Sequence, residues 1–112
     1  MVITASEGAP PFRQDMFMAM VEGRKTATSR NSRYANGQYM YRQHGYEVII
    51  QLQSATRLRL EIIAQEHYQE EGVDSPQAFR DIWTEIHPRK GWRPLDKAWF
   101  HKFCVLEVRR LD

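Results

Sequence analysis

The chain has 112 residues, 42% of them hydrophobic and 27% charged, with a formal net charge of +2. That length gives one small domain with one core, and no apolar run approaches the roughly 20 residues that cross a bilayer. A single cysteine, Cys104, excludes an internal disulfide, and the opening MVITASEGAPPFRQD has neither the basic start nor the apolar stretch of a secretory leader; a reducing cytoplasm is the expected location.

In chain order, Met16, Phe17, Met20 and Val21 recur at helical spacing after Pro10-Pro11 and stop at Gly23, which predicts a helix over 12–22. The octet GRKTATSR, Gly23 to Arg30, begins where that helix ends. Asn36-Gly37 is a turn signal. Beyond it QYMYRQ, EVIIQLQ and RLRLEIIA read as strands over 38–43, 47–53 and 57–64, joined at His44-Gly45-Tyr46 and at Ser54-Ala55. AQEHYQEEG reads as a short polar helix closed by Gly72. The stretch 74–88 reads as a second helix, with Asp74 or Ser75 as cap, Pro76 in its first turn, and Phe79, Ile82, Trp83 and Ile86 on one face. A loop over 88–99 and a closing strand, FCVLEVRR, complete the chain. The order predicts an α+β domain spanning 1–112, a barrel or strongly curved mixed sheet with flanking helices.

The small net charge conceals an uneven distribution. Arg24, Lys25, Arg30 and Arg33 stand in a stretch without acids, 61–85 holds seven acids against Arg80, and the last quarter is cationic from Arg89 to Arg110. Two basic segments therefore stand ready to converge on one anion-attracting face. Tyr34, Tyr39, Tyr41 and Tyr46 alternate with basic residues, and either stack bases or fill one side of the sheet.

The octet admits two geometries. An extended chain puts Thr26 and Thr28 on one face with Arg24 and Arg30, and Lys25 on the other; a tight turn over 24–28 lets Lys25 and Thr28 meet. Only the second makes a catalytic pair. A threonine hydroxyl must pass its proton to a base, and a lysine whose pKa is lowered by burial and neighbouring cations serves as one. A carboxylate from the acidic region then completes the proton traffic.

The series MFMAMVEGRKTATSR, then YANGQ, then IIAQEHYQEEGVDSPQAFRDIWTEIHP and a closing WFHKFCVLEV resembles the ASCH domain family along 12–108. Its most specific element is G-x-K-T-x-T-x-R, satisfied by Gly23, Lys25, Thr26, Thr28 and Arg30. The resemblance implies a PUA-like fold and binding of RNA or modified nucleotides, and in one small bacterial branch the amidohydrolysis of N4-acetylcytidine to cytidine and acetate. Carried onto this chain, it implies Lys25, Thr28 and Glu71 as catalytic residues, with Glu71 on the helix after the sheet, four residues beyond His67. Arg24, Thr26, Arg30 and His67 are the expected substrate-binding residues, and Glu70 is the rival of Glu71.

The implied reaction needs neither cofactor nor metal, and the four histidines and Cys104 lack paired metal-ligand spacing. The expected partner is an acylated cytosine nucleoside bound by a monomer or weak dimer, without a membrane. The alternative is a noncatalytic module that binds RNA or a modified nucleotide. The stretch 87–99, HPRKGWRPLDKAW, departs from the short amidohydrolases, and its Trp92 and Trp99 either wall the pocket or cap the barrel, with capping favoured for Trp99.

Overall fold

The computed structural model describes residues 2–4 and 8–111. Five strands form one mixed sheet in the order β1-β3-β4-β5-β2: β1 is Val2–Thr4, β2 Ala27–Arg30, β3 Gly37–Gln43, β4 Tyr46–Arg59 and β5 Lys97–Arg110. β1 runs parallel to β3, and every other neighbouring pair is antiparallel. Among the described residues β1 and β2 remain the two edges, so the sheet is open rather than closed into a barrel. Among the described residues three helices accompany it, α1 over Gln14–Val21, α2 over Leu60–Glu66 and α3 over Pro76–Ile86.

The long β4–β5 ribbon changes faces along its length. The pairing steps from Leu52↔Phe103 to Ser54↔Lys102, leaving Gln53 as an extra residue on β4. A bulge of this kind bends the strand and re-aims its side chains. On one side of it Tyr39, Tyr41, Val48, Ile50, Leu52 and Phe103 pack with Phe17 and Met20 of α1. On the other, Ala98 and Phe100 pack with Leu60, Ile63 and Ala64 of α2 and with Phe79 and Trp83 of α3. Ser75 caps α3 by accepting from the Ala78 N–H at 3.0 Å, one residue before Pro76.

Several boundaries depart from expectation. The strand expected over 57–64 ends at Arg59, because Leu60, Ile63 and Ala64 bury at helical spacing, and that periodicity outweighs the alternation of Leu58, Leu60 and Ile62. Ser54-Ala55, expected as a connection, lies inside β4 just beyond the bulge. The polar helix expected over 64–72 is the end of α2 followed by turns, closed by Gly72 at φ +89°. β5 begins at Lys97 rather than Phe103, so Trp99 is a strand residue between Arg33 and Arg57 instead of a cap. Trp92 packs edge-on against Phe79 at the margin of the second core. Tyr39 and Tyr41 are core residues whose hydroxyls donate to the Ala35 and Pro10 carbonyls, which settles both as packing residues of the sheet.

Candidate active site

The tight turn expected over 24–28 does not form: the turn lies at 22–23, residues 24–26 are irregular, and the extended geometry holds from Ala27 on. α1 ends with Gly23 at φ +80°, where the Gly23 N–H donates to the Met20 carbonyl and the Arg24 N–H to the Ala19 carbonyl. This double closure is the Schellman pattern, and it turns the chain back beneath the helix. The Lys25 N–H also donates to the Ala19 carbonyl, at 3.2 Å. From Ala27 the chain is extended as β2 and pairs with β5, setting Thr28 opposite His101 and Arg30 opposite Trp99.

Backbone and side-chain hydrogen bonds tie the octet to the turn after α2. The Thr26 and Ala27 N–H groups both donate to the Glu70 carbonyl, at 2.8 and 2.9 Å, and Lys25 Nζ donates to the Glu71 carbonyl at 2.8 Å. Gly72 permits the approach: a Cβ there would lie 2.9 Å from Lys25 Cβ and 3.3 Å from Ala19 Cβ. The Glu71 carboxylate is thereby held inside the fold, accepting from Ser29 Oγ at 2.6 Å and lying 3.5 Å from Lys25 Nζ.

Lys25 and Glu71 are both buried, with side chains only 3% and 6% exposed. Burial pushes the Lys25 ammonium below the ordinary lysine value of 10.5, against the opposing pull of Glu71. Thr28 is buried beside them, and its Oγ accepts from Arg30 Nε at 3.0 Å, leaving the hydroxyl proton free to be donated. The Arg30 guanidinium lies 5.0 Å from the Phe12 ring centre. These groups line a cleft of about 420 Å³ whose apolar walls include Phe12, Met16, Phe79, Ile82 and Trp83. That volume suits a nucleoside-sized ligand, with few polar groups set in apolar walls.

His101 supports the site from behind. Its buried ring donates from Nδ1 to the Thr28 carbonyl at 3.2 Å and accepts at Nε2 from the Tyr34 N–H at 3.0 Å, an arrangement that fits one neutral tautomer. Burial lowers its pKa below 6.5, consistent with that neutral form.

Of the residues expected at the site, Lys25, Thr28, Arg30 and Glu71 meet in the cleft. Arg24 is exposed on Glu22 and the Gly72 carbonyl, and the Thr26 side chain is exposed while its backbone serves as anchor. His67 lies tilted against Phe100 and bonds Glu70, which also faces Lys102; His67 and Glu70 do not line the cleft. Ser29 and His101 are the contributors that the sequence reading missed. Ser29 was hidden by its place one residue after Thr28, and His101 by a β2–β5 register that no local pattern specifies. Among the described residues no three His, Cys, Asp or Glu side chains gather closely enough to hold a metal ion.

This open α+β sheet with its turn-built cleft has the ASCH-type, PUA-like fold. The ASCH domain from Lactobacillus crispatus JV V101 superimposes with a TM-score of 0.57 at 14% identity, covering 93% of this chain and 79% of that one. A protein from Enterococcus faecalis V583, described under the family model DUF984, superimposes with a TM-score of 0.60 at 17% identity over 81% of this chain. This chain spans 66% of the Enterococcus protein's length. No family model and no curated protein matches the sequence.

Proposed function

We propose that the chain hydrolyses the N4-acyl amide of an acylated cytidine or cytosine, as N4-acetylcytidine to cytidine and acetate. The observation that carries this reading is the convergence of buried Lys25, Thr28 and Glu71 on one nucleoside-sized cleft. Conjugation of the exocyclic nitrogen with the ring makes the departing amine a better leaving group than an alkylamine, so a small catalytic apparatus suffices.

In the covalent route neutral Lys25 takes the Thr28 hydroxyl proton as Oγ attacks the acyl carbon. The proton passes from Lys25 to Glu71 and on to N4 as the C–N bond breaks, and water then releases the acid from the acyl-threonine with Lys25 again as base. Arg30, already donating to Thr28 Oγ, steadies the developing negative charge. In the second route Thr28 orients a water that Lys25 or Glu71 deprotonates. Ser29 holds the Glu71 carboxylate in register in both.

The test incubates the protein with N4-acetylcytidine and follows the ultraviolet change as the acyl group leaves. Wild type should form cytidine, with Lys25→Ala slower by roughly 10²–10⁴, the usual worth of a positioned acid or base. Full activity in Thr28→Ala would exclude the covalent route. No turnover by wild type, together with salt-sensitive binding of short RNA, would replace the enzyme by a noncatalytic binding module.

A further inference from the structure

A second cleft, of about 240 Å³, adjoins the first and shares Asn31, Trp83 and His87 with it. The His87 ring stacks on Trp83 at 4.1 Å and its Nδ1 lies 3.0 Å from the Trp83 carbonyl, so the pair forms a fixed partition between the two hollows. The far walls are of another character. Arg57 from β4, Lys97 from β5, and Lys90 and Arg93 from the loop between α3 and β5 all line the second cleft.

Among the described residues Asp96 is the one acid lining the second cleft, and Arg93 pairs with it at 3.4 Å. Four cations against one carboxylate leave a formal +3 around this hollow, more than the +2 of the entire chain. Lys90 and Lys97 form no ion pair among the described residues. The Arg57 guanidinium is held over Trp99 at 5.6 Å, and Arg33 lies over the same ring at 5.5 Å. The gathering is a product of the fold, since its members come from two strands and a loop. Like charges assembled this way repel one another until an anion joins them.

We propose that the second cleft binds a phosphate group of the nucleotide whose base occupies the first. Lysine and arginine are the side chains suited to phosphate, the one as a point charge and the other as a fork. The proposal rests on the first cleft taking a cytosine nucleoside, and it narrows the substrate class from nucleosides to their phosphorylated forms. A phosphomonoester and an RNA phosphodiester offer the same chemistry to these residues.

The test is calorimetric titration at low salt of wild type and of Lys90→Ala/Lys97→Ala with four probes: cytidine, cytidine 5′-monophosphate, a short cytidine-containing RNA and inorganic phosphate. Wild type should bind the monophosphate about tenfold or more tightly than cytidine, and the ratio should fall towards one in the double variant and at raised salt. Tighter binding of the RNA than of the monophosphate, lost in the same variant, would support the cleft with the diester as its source. Equal affinity of wild type for cytidine and its monophosphate, or a ratio that survives both substitutions, overturns the proposal. If neither cytidine ligand binds while inorganic phosphate binds wild type and not the variant, the phosphate cleft stands and the nucleoside reading of the first cleft falls. If inorganic phosphate also fails to bind, both fall.

Discussion

Glu71 and Glu47 are almost equally withdrawn from water, at 5% and 7% relative exposure, yet their surroundings differ in kind. Glu47 sits near the start of the central strand β4 with Arg42 across on β3 and Arg109 across on β5, at 2.7 and 3.0 Å from the same carboxylate oxygen. Both arginines are more than half exposed, so their charges stay hydrated. Glu71 has a partner as buried as itself. Cross-strand pairs with hydrated cations brace a sheet at small cost. A pair in which both members lose their water gains little stability, and one of them is pushed towards its neutral form, which is the condition a proton-transferring lysine needs.

The largest effect should come from splitting the buried pair. Lys25→Met leaves the Glu71 carboxylate without its cation, and urea unfolding should show a loss of about 3–5 kcal/mol, most of it recovered in Lys25→Met/Glu71→Gln. Equal losses in the single and double variants would erase the distinction drawn between the two glutamates. The same burial sets the pH profile. The folded pKa of Lys25 lies below its unfolded value of 10.5, so turnover of N4-acetylcytidine should rise with pH along a limb centred below 10.5 and absent in Lys25→Ala. Stability should also rise with pH across that interval, where the unfolded chain binds more protons. A limb centred at or above 10.5 would contradict the assignment.

Gly72→Ala should come next. At φ +89° a side chain is strained by about 1–3 kcal/mol. The added methyl also presses on Lys25 Cβ, so a lower urea midpoint should accompany slower turnover. Loss of stability with full turnover would show that the close approach of the two turns does not set the chemistry.

Glu47→Gln should be the mildest change, leaving turnover as it is. The Arg42 hydrogen bond, helped by Arg109, holds the Glu47 carboxyl below its ordinary 4.5. Its contribution is therefore present above pH 4.5 and lost as pH falls through the lower folded value, and added salt should shrink it. Melting curves of wild type and variant should converge in acid. A change in turnover would tie the far end of the sheet to the cleft.

The parts legible in the sequence are those decided locally. α3 was readable because Ser75, Pro76 and four apolar residues at helical spacing all agree, and α1 because Gly23 closes an apolar stripe. Lys25, Thr28 and Glu71 are named by the family resemblance, whereas the reason they meet is three-dimensional: Gly72 must lack a Cβ for Lys25 to pass. The β4–α2 junction was misread because leucines at 58 and 60 and isoleucine at 62 satisfy a strand's alternation while 60, 63 and 64 satisfy a helix. Burial of the latter decided it. His101 was invisible because it acts through the Thr28 backbone, across a register that forms only when the ends of the chain pair.

Much of the octet's grip on the turn after α2 is on main-chain oxygens, those of Glu70, Glu71 and Gly72, with two donors that are themselves backbone N–H groups. Backbone atoms are common to every amino acid. The placement of the Glu71 carboxylate is therefore largely insulated from mutation at Gln69 and Glu70, and the burden of identity falls on Lys25, Ser29, Glu71 and Gly72. Substitutions at Gln69 and Glu70 can change the charge of that turn's surface while the backbone geometry beneath stays in place.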